Sequence, residues 1–470
     1  MTEQLAAIDH AHLWHPFTPM RQWREQGPII IERAEGFVLI DTNGKQYIDG
    51  YSSLWCNVHG HRVDVIDEAI RDQLDRVAHA TMLGSSTVPA IRLAERLVKL
   101  VNRPGARTVL NKVFYSDAGA TATELAFKMA AGFHHHNGRT DRDTFVGVRG
   151  AYHGDTTGAM SVGYDERMHK PFGSMLFRNA WAMAPDVCSV DEPSAGHQRE
   201  WPSWDRARRE RARDLALADL DRVLGEVGDR AIAVVIEPLM QGAGGIVEQP
   251  EGYLAGLAQR ARAHRLPLIA DEVAVGLCRT GAVLACEHEG VEPDILCLAK
   301  GLSGGYLPLA ATLCTDKIAE AFEGELAEHR TLYHGHTFTG NPLACAAANA
   351  SIDLLISDDL SANARALSSQ MRESLREGLG EHPHVGDVRL RGVLCGIRLV
   401  AGRGPWSAFD PDHRVGALVC AAARERGLMI RPLGDVVVLN PAPSMDDATA
   451  EEMLRIVIET VSGFDYSRFV

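Results

Sequence analysis

Lysine is scarce in this chain: seven of its 48 basic residues are lysine, at positions 45, 99, 112, 128, 170, 300 and 317, and the other 41 are arginine. A surplus of positive charge is also missing. The 48 Lys and Arg stand against 62 Asp and Glu, a net of −14 with no basic tail or stripe, so no nucleic-acid partner is expected. Long apolar runs are absent, stretches such as 231–236 and 295–299 falling far short, so no membrane span is expected either, because one requires ~20 such residues. Nine cysteines, an odd number with no C-x-x-C pair, exclude an obvious disulfide framework and suit thiols in a reducing compartment. The opening MTEQLAAIDHAHLWHPFTPM lacks the basic start and apolar stretch of a secretion signal, so a cytoplasmic protein is expected.

What is present is a folding chain of 470 residues, 46% hydrophobic and 23% charged, longer than one core usually grows. Short apolar runs at 113–116, 144–148, 232–238, 267–273, 294–299 and 310–315 alternate with amphipathic stretches at 65–77 and 121–133. That alternation predicts an α/β fold, a mostly parallel sheet covered by helices. After Pro342 an Ala-rich helix leads to antiparallel-looking strands near 385–400 and 428–440, which predicts a smaller α+β domain from 341 to 470. Residues 61–340 are then the large domain, and residues 1–60, with hairpin chemistry at Asp41-Thr42-Asn43-Gly44, pack with the small one. The proline-punctuated, charged stretch 185–212 reads as a surface excursion outside the core.

One lysine sits where chemistry is done. Lys300 ends the apolar run Asp294-Ile-Leu-Cys-Leu-Ala and precedes Gly301-Leu-Ser-Gly-Gly305, which places its amine at the carboxyl end of a buried strand. A desolvated amine there can form a Schiff base with a carbonyl compound, although a lysine snorkelling to solvent has the same pattern. Asp271, 29 residues earlier at the end of another strand, would balance a cation or cap a helix. Ser116-Asp-Ala-Gly-Ala-Thr121, between a strand and a helix, offers free N–H groups to a phosphate. Tyr152 in Tyr152-His-Gly-Asp155 offers an aromatic face beside a carboxylate.

Other patterns compete. Gly301-Leu-Ser303-Gly-Gly305 matches the nucleophile elbow of serine hydrolases, but a helix should follow, and Pro308 interrupts the sequence that does. A non-catalytic small-molecule binder would tolerate loss of either Lys300 or Ser303. His134-His-His136 ends a helix, so its side chains diverge and no metal site is expected; Gln241-Gly-Ala-Gly-Gly245 lacks dinucleotide spacing.

Taken together, His12 to Thr18, Ser52 to Gly60, Tyr152 to Thr156, Asp271 to Gly281, Lys300, His334 to Pro342 and Arg431 to Gly434 resemble the class III aminotransferases, pyridoxal-phosphate enzymes of fold type I. The resemblance implies that Lys300 binds the cofactor covalently and that Asp271 pairs with its pyridine nitrogen, with Tyr152 stacked on the ring as the third member of the catalytic set. It implies phosphate contacts from Gly119 and Ala120, and from His336 and Thr337 across a homodimer whose subunits share active sites. It also implies a substrate site of Phe17, Leu54, Trp55, Tyr152, Gly335 and Arg431, the last gripping a carboxylate, with Glu237 and Asp155 lining the same cleft. The first and last motifs resemble the branch of the family that aminates 8-amino-7-oxononanoate in biotin biosynthesis. S-adenosylmethionine is that branch's commoner amino donor. Phe17 stands where such members usually have tyrosine, and Leu54 where they have tryptophan, which looks more like a lysine-using variant. Another ω-amine transaminase is the nearer rival.

Overall fold

The computed structural model describes residues 2–189, 201–403 and 406–470. Its largest sheet has seven strands. Across the sheet they run Leu110–Ser116, Ala310–Thr315, Ile295–Leu298, Leu268–Asp271, Ala231–Ile236, Thr144–Val148 and Ala180–Ala182. Only the Ala310 strand runs against the rest. The central strands Ala231–Ile236 and Ile295–Leu298 carry no polar residues because both faces are covered, and every residue of each is buried. Ile269, Ile295 and Cys297 face a core built on the helix Gly119–His136, while Leu268, Ala270, Leu296 and Leu298 face the larger core on the opposite side. The expected α/β class is the observed one.

Beyond the helix Pro342–Ser357, the sheet Val385–Arg391, Leu394–Leu399, Val436–Leu439 and Arg431–Leu433 is antiparallel. Helices Leu360–Leu379, Val415–Glu425 and Asp447–Gly463 pack on it in a core of their own. The first strands, Ile31–Glu35, Val38–Asp41 and Gln46–Asp49, form an antiparallel meander turned by Asp41-Thr-Asn-Gly44 with Gly44 at φ 82°, and Gln46–Asp49 pairs in parallel with Leu428–Met429.

The reading of 185–212 as a surface excursion is corrected by the structure. Trp201 is buried in the C-terminal core, and Ser203 gives its N–H (3.0 Å) and hydroxyl (2.6 Å) to the buried carboxylate of Asp387. From Arg206 to Val227 the chain is a helix whose charged residues form the outer face, while Ala212, Ala216, Leu217 and Leu220 enter the core. Charge density alone hid the inner stripe and the aromatic anchor. Residues 190–200 lie outside the described residues.

The histidine run behaves as its helical position requires. His134 is buried and bonded to the Ile232 carbonyl at 2.8 Å, and His135 is exposed. Among the described residues no cluster could hold a metal ion, and no helix is long and apolar enough to cross a membrane.

Candidate active site

Five strand ends build one cleft. Parallel strands present their carboxyl ends together, and these lead directly into Asp117 to Thr121, Arg149 to Asp155, Glu237, Asp271 and Lys300. The sequence therefore needs only correct register to bring residues far apart in the chain to one place.

Lys300 has φ +32°, an uncommon conformation for a side-chain-bearing residue, which costs ~1–3 kcal/mol and is held by the Gly301–Gly305 turn around it. Its amine lies 5.4 Å from the centre of the buried Trp55 ring and has no hydrogen bond or ion pair among the described residues. Burial pushes its pKa down, against the opposing pull of Asp271 and Glu237. A less basic, partly desolvated amine is a nucleophile and a proton carrier.

Asp271 is buried and bonds twice: Oδ2 to His153 Nδ1 at 2.7 Å, and Oδ1 accepting the Val273 N–H at 3.1 Å. Burial opposes protonation of His153, but the bond to Asp271 outweighs it and raises the imidazole's pKa. Glu237, also buried, accepts the Tyr152 N–H and the Gly242 N–H, each at 2.9 Å, and burial lifts its pKa to about 7. Two acids and two bases thus share one low-dielectric space, each tuning the others. Tyr152 OH donates to Asp155 Oδ2 at 2.7 Å, which orients the ring.

The helix Gly119–His136 begins beside them, and the first-turn N–H groups of Gly119, Ala120 and Thr121 have no intrahelical partner. Two glycines keep this cradle open. A Cβ on Gly119 would lie 2.6 Å from Val273 Cγ1, and one on Gly154 (φ +116°) would overlap the Ala120 methyl. Thr123 Oγ1 ties the helix to the His153 carbonyl at 2.8 Å.

Trp55 closes the cleft from the N-terminal side, on a turn in which Ser52, Ser53, Leu54 and Trp55 all have positive φ (53°, 48°, 72° and 69°). Such a left-handed run costs roughly 1–2 kcal/mol per residue and requires external bonds. Asp49 supplies two by accepting the Ser53 N–H (2.9 Å) and the Ser53 hydroxyl (2.7 Å). The fully buried Arg279 guanidinium donates to Ser52 Oγ, the Asn57 carbonyl and the Pro441 carbonyl.

Lys300, Asp271, Tyr152, Glu237 and Trp55 are thereby linked in one cleft, with Gly119 and Ala120 at its mouth. Phe17, Leu54, Gly335, Thr337 and Arg431 are exposed instead, and their side chains have no hydrogen bond or ion pair within the chain among the described residues. Arg431 lies close enough to Tyr51, beside the Trp55 turn, to influence its ionisation. His336 reaches Asp117 Oδ2 at 3.3 Å. Ser303 is a turn residue: its hydroxyl donates to the Leu307 carbonyl at 2.6 Å and accepts the Leu307 N–H at 3.1 Å, and the 3-10 turn Lys300–Ser303 leads into a strand. A nucleophile elbow needs a free hydroxyl and a following helix, and Ser303 has neither. His153, Gly154 and Gly242 carry local geometry that the sequence reading left without a role.

A nucleophilic amine, an acid–imidazole pair, an aromatic face and a phosphate cradle at a helix start define a pyridoxal-phosphate site, and these residues fit that group. The family model of the class-III aminotransferases matches residues 20–461, and the chain belongs to this family. It is a pyridoxal-phosphate-dependent aminotransferase. It is 45% identical over 97% of its length to the adenosylmethionine-8-amino-7-oxononanoate aminotransferase of Nitratidesulfovibrio vulgaris, covering 81% of that protein. The crystal structure of the enzyme of that name from Methanocaldococcus jannaschii superposes with a TM-score of 0.89, at 37% identity and covering 98% and 99% of the two chains. An (S)-enantioselective omega-transaminase from Thermomicrobium roseum superposes equally well, at 32% identity, with 98% of each chain covered and a TM-score of 0.89.

Proposed function

We propose that this enzyme transfers an amino group from S-adenosylmethionine to the 7-oxo carbon of 8-amino-7-oxononanoate, forming 7,8-diaminononanoate for biotin synthesis in the cytoplasm. The observation that carries this reading is the 45% identity, over nearly the whole chain, to a relative named for that reaction. The exposed Arg431 beside the Trp55 turn supports it, because a guanidinium binds a substrate carboxylate through two parallel bonds.

When bound, pyridoxal phosphate holds the reacting amine covalently and withdraws electrons from its α-carbon. Lys300 Nζ would hold the cofactor and, as the buried amine of the cleft, would take the α-proton of the bound donor and give it back. Asp271, fixed by His153, keeps a proton on the pyridine nitrogen. Tyr152 and Trp55 exclude water and hold the ring and substrate, and Gly119 and Ala120 bind the phosphate through their N–H groups. The exposed Thr337, next to a His336 held beside Asp117, would contact the cofactor phosphate of a second subunit, so the active unit is a homodimer; Gly335, Phe17 and Leu54 would line the substrate entrance.

A second reading takes lysine as the donor. Phe17 offers no hydroxyl and Leu54 no indole to contact a sulfonium or an adenine, and both are exposed. Product analysis separates the readings. Loaded enzyme, 8-amino-7-oxononanoate and one donor at a time should give diaminononanoate with S-adenosylmethionine. Product with lysine alone selects the second reading, and turnover of other ω-amines but not of this acceptor contradicts both.

A further inference from the structure

Glu237 is a buried acid of the cleft that the reaction above does not use. It ends the strand Ala231–Ile236, is buried, and has no cationic hydrogen-bond partner among the described residues. Both oxygens are committed to backbone N–H groups of different loops. Oε1 holds Tyr152, whose ring orientation is then completed by Asp155. Oε2 holds Gly242, and Gly242 is pressed against Trp55 so closely that a Cβ there would lie 2.6 Å from the indole Cζ3.

The backbone of Glu237 is itself fixed. Gln249 Nε2 donates to its carbonyl at 2.7 Å, and Gln249 Oε1 accepts the Leu239 N–H at 2.9 Å. At the far end of the glycine loop, Arg389 donates to the Gly245 carbonyl at 2.8 Å. A buried carboxylate is expensive, and neutral residues of the same size would pack in its place at lower cost. Its two-sided bonding supplies the reason for its presence.

We propose that Glu237 is a positioning residue that sets the two aromatic walls of the cleft, Tyr152 directly and Trp55 through Gly242, so that the cofactor ring enters a slot of fixed width. This rests on the placement of Tyr152 against the cofactor. Glutamine in its place has one acceptor oxygen and one amide that would face an N–H donor, so one of the two loops is released. Affinity for the cofactor falls through the wall, with no charge contact to the cofactor itself.

The test is a double-mutant cycle on cofactor-stripped protein, combining Glu237→Gln with Tyr152→Leu and reading pyridoxal-phosphate affinity from the quenching of tryptophan emission. Thermal melting confirms that each variant is folded, and Glu237→Asp, too short to span both N–H groups, replaces Glu237→Gln if the latter does not fold. Each single change is expected to weaken binding ~10-fold, with the double variant no weaker than the worse single one, because residues that act as a unit are not additive. Visible circular dichroism of the bound cofactor should fall in Glu237→Gln, reporting a ring that tilts. Effects that multiply, or a Glu237→Gln protein that binds with wild-type affinity while Tyr152→Leu is weakened, would overturn the inference alone. Unchanged affinity in Tyr152→Leu would overturn it together with the placement of Tyr152 on which it rests.

Discussion

Asp271 and His153 form a pair in which neither member is replaceable by an uncharged residue. Changing Asp271 to Asn leaves an imidazole facing an amide in a buried site and removes the charge proposed to hold a pyridinium proton. We expect kcat/KM to fall by ~10²–10⁴ in Asp271→Asn, with cofactor still bound, and the His153 pKa to drop, as followed by NMR of the imidazole. Wild-type turnover in that variant contradicts the role. Glu237 provides a pH signature. Its folded-state pKa, about 7, lies above the ordinary 4.5, so the folded protein binds a proton that the unfolded chain has released between those values. Stability from this group is full below pH ~4.5 and declines as pH rises toward 7, by about 1.4 kcal/mol per pH unit at most. Urea unfolding of cofactor-free wild type and Glu237→Gln from pH 5 to 7 should show the flatter slope in the variant.

At the scale of elements, the cleft depends on turns that glycines make possible. Gly154, at φ +116° against Ala120, sets the distance between the Tyr152 loop and the phosphate cradle. Gly154→Ala should weaken pyridoxal-phosphate binding at least ~10-fold and cost ~1–3 kcal/mol of stability, measured by fluorescence titration and thermal melting, since both backbone strain and overlap act there. Much of this level was legible in the sequence. Lys300 and Asp271 could be found because each ends an unbroken apolar run, and a strand buried on both faces leaves its first polar residue at the ligand-binding edge. Tyr152 and the Gly119 cradle followed from the same strand-then-loop pattern. The left-handed turn at Ser52 to Trp55 was not legible as geometry, because nothing in Ser-Ser-Leu-Trp favours positive φ; it exists through bonds to Asp49 and Arg279, supplied from elsewhere in the fold. The roles of His153 and Gly242 were hidden for a related reason: their partners, Asp271 and Trp55, are distant in the chain.

In the whole molecule, the segment before the Arg206 helix is fastened to the C-terminal core by buried polar contacts as well as by Trp201. Asp387 accepts from Ser203, while Arg389 pairs with Asp387 at 3.2 Å and Asp186 at 3.5 Å, joining the segment before the Arg206 helix to the C-terminal sheet. Asp387→Ala should destabilise the protein by ~3 kcal/mol in urea unfolding, because among the described residues the buried Arg389 then keeps one carboxylate partner, Asp186 at 3.5 Å. The charged stretch 185–212 misled the sequence reading for this reason, since its few anchoring residues are outnumbered by the solvated ones. Large apolar side chains remain exposed on one chain, Leu83 at 91%, Trp14 at 88% and Tyr333 at 66%, which fits the proposed homodimer. Sedimentation should give about twice the chain's 51.2 kDa; a monomer that retains full activity contradicts shared active sites.

Lys300 and its surroundings are proposed to make this chain an aminotransferase that accepts its amino group from S-adenosylmethionine. The visible absorbance of the cofactor-loaded enzyme, followed as S-adenosylmethionine or lysine is added without acceptor, tests it in one cuvette each. The cofactor's visible band should bleach with S-adenosylmethionine, return on addition of 8-amino-7-oxononanoate, and be missing from Lys300→Ala. A band that neither amine changes, or one that persists unaltered in Lys300→Ala, would contradict it.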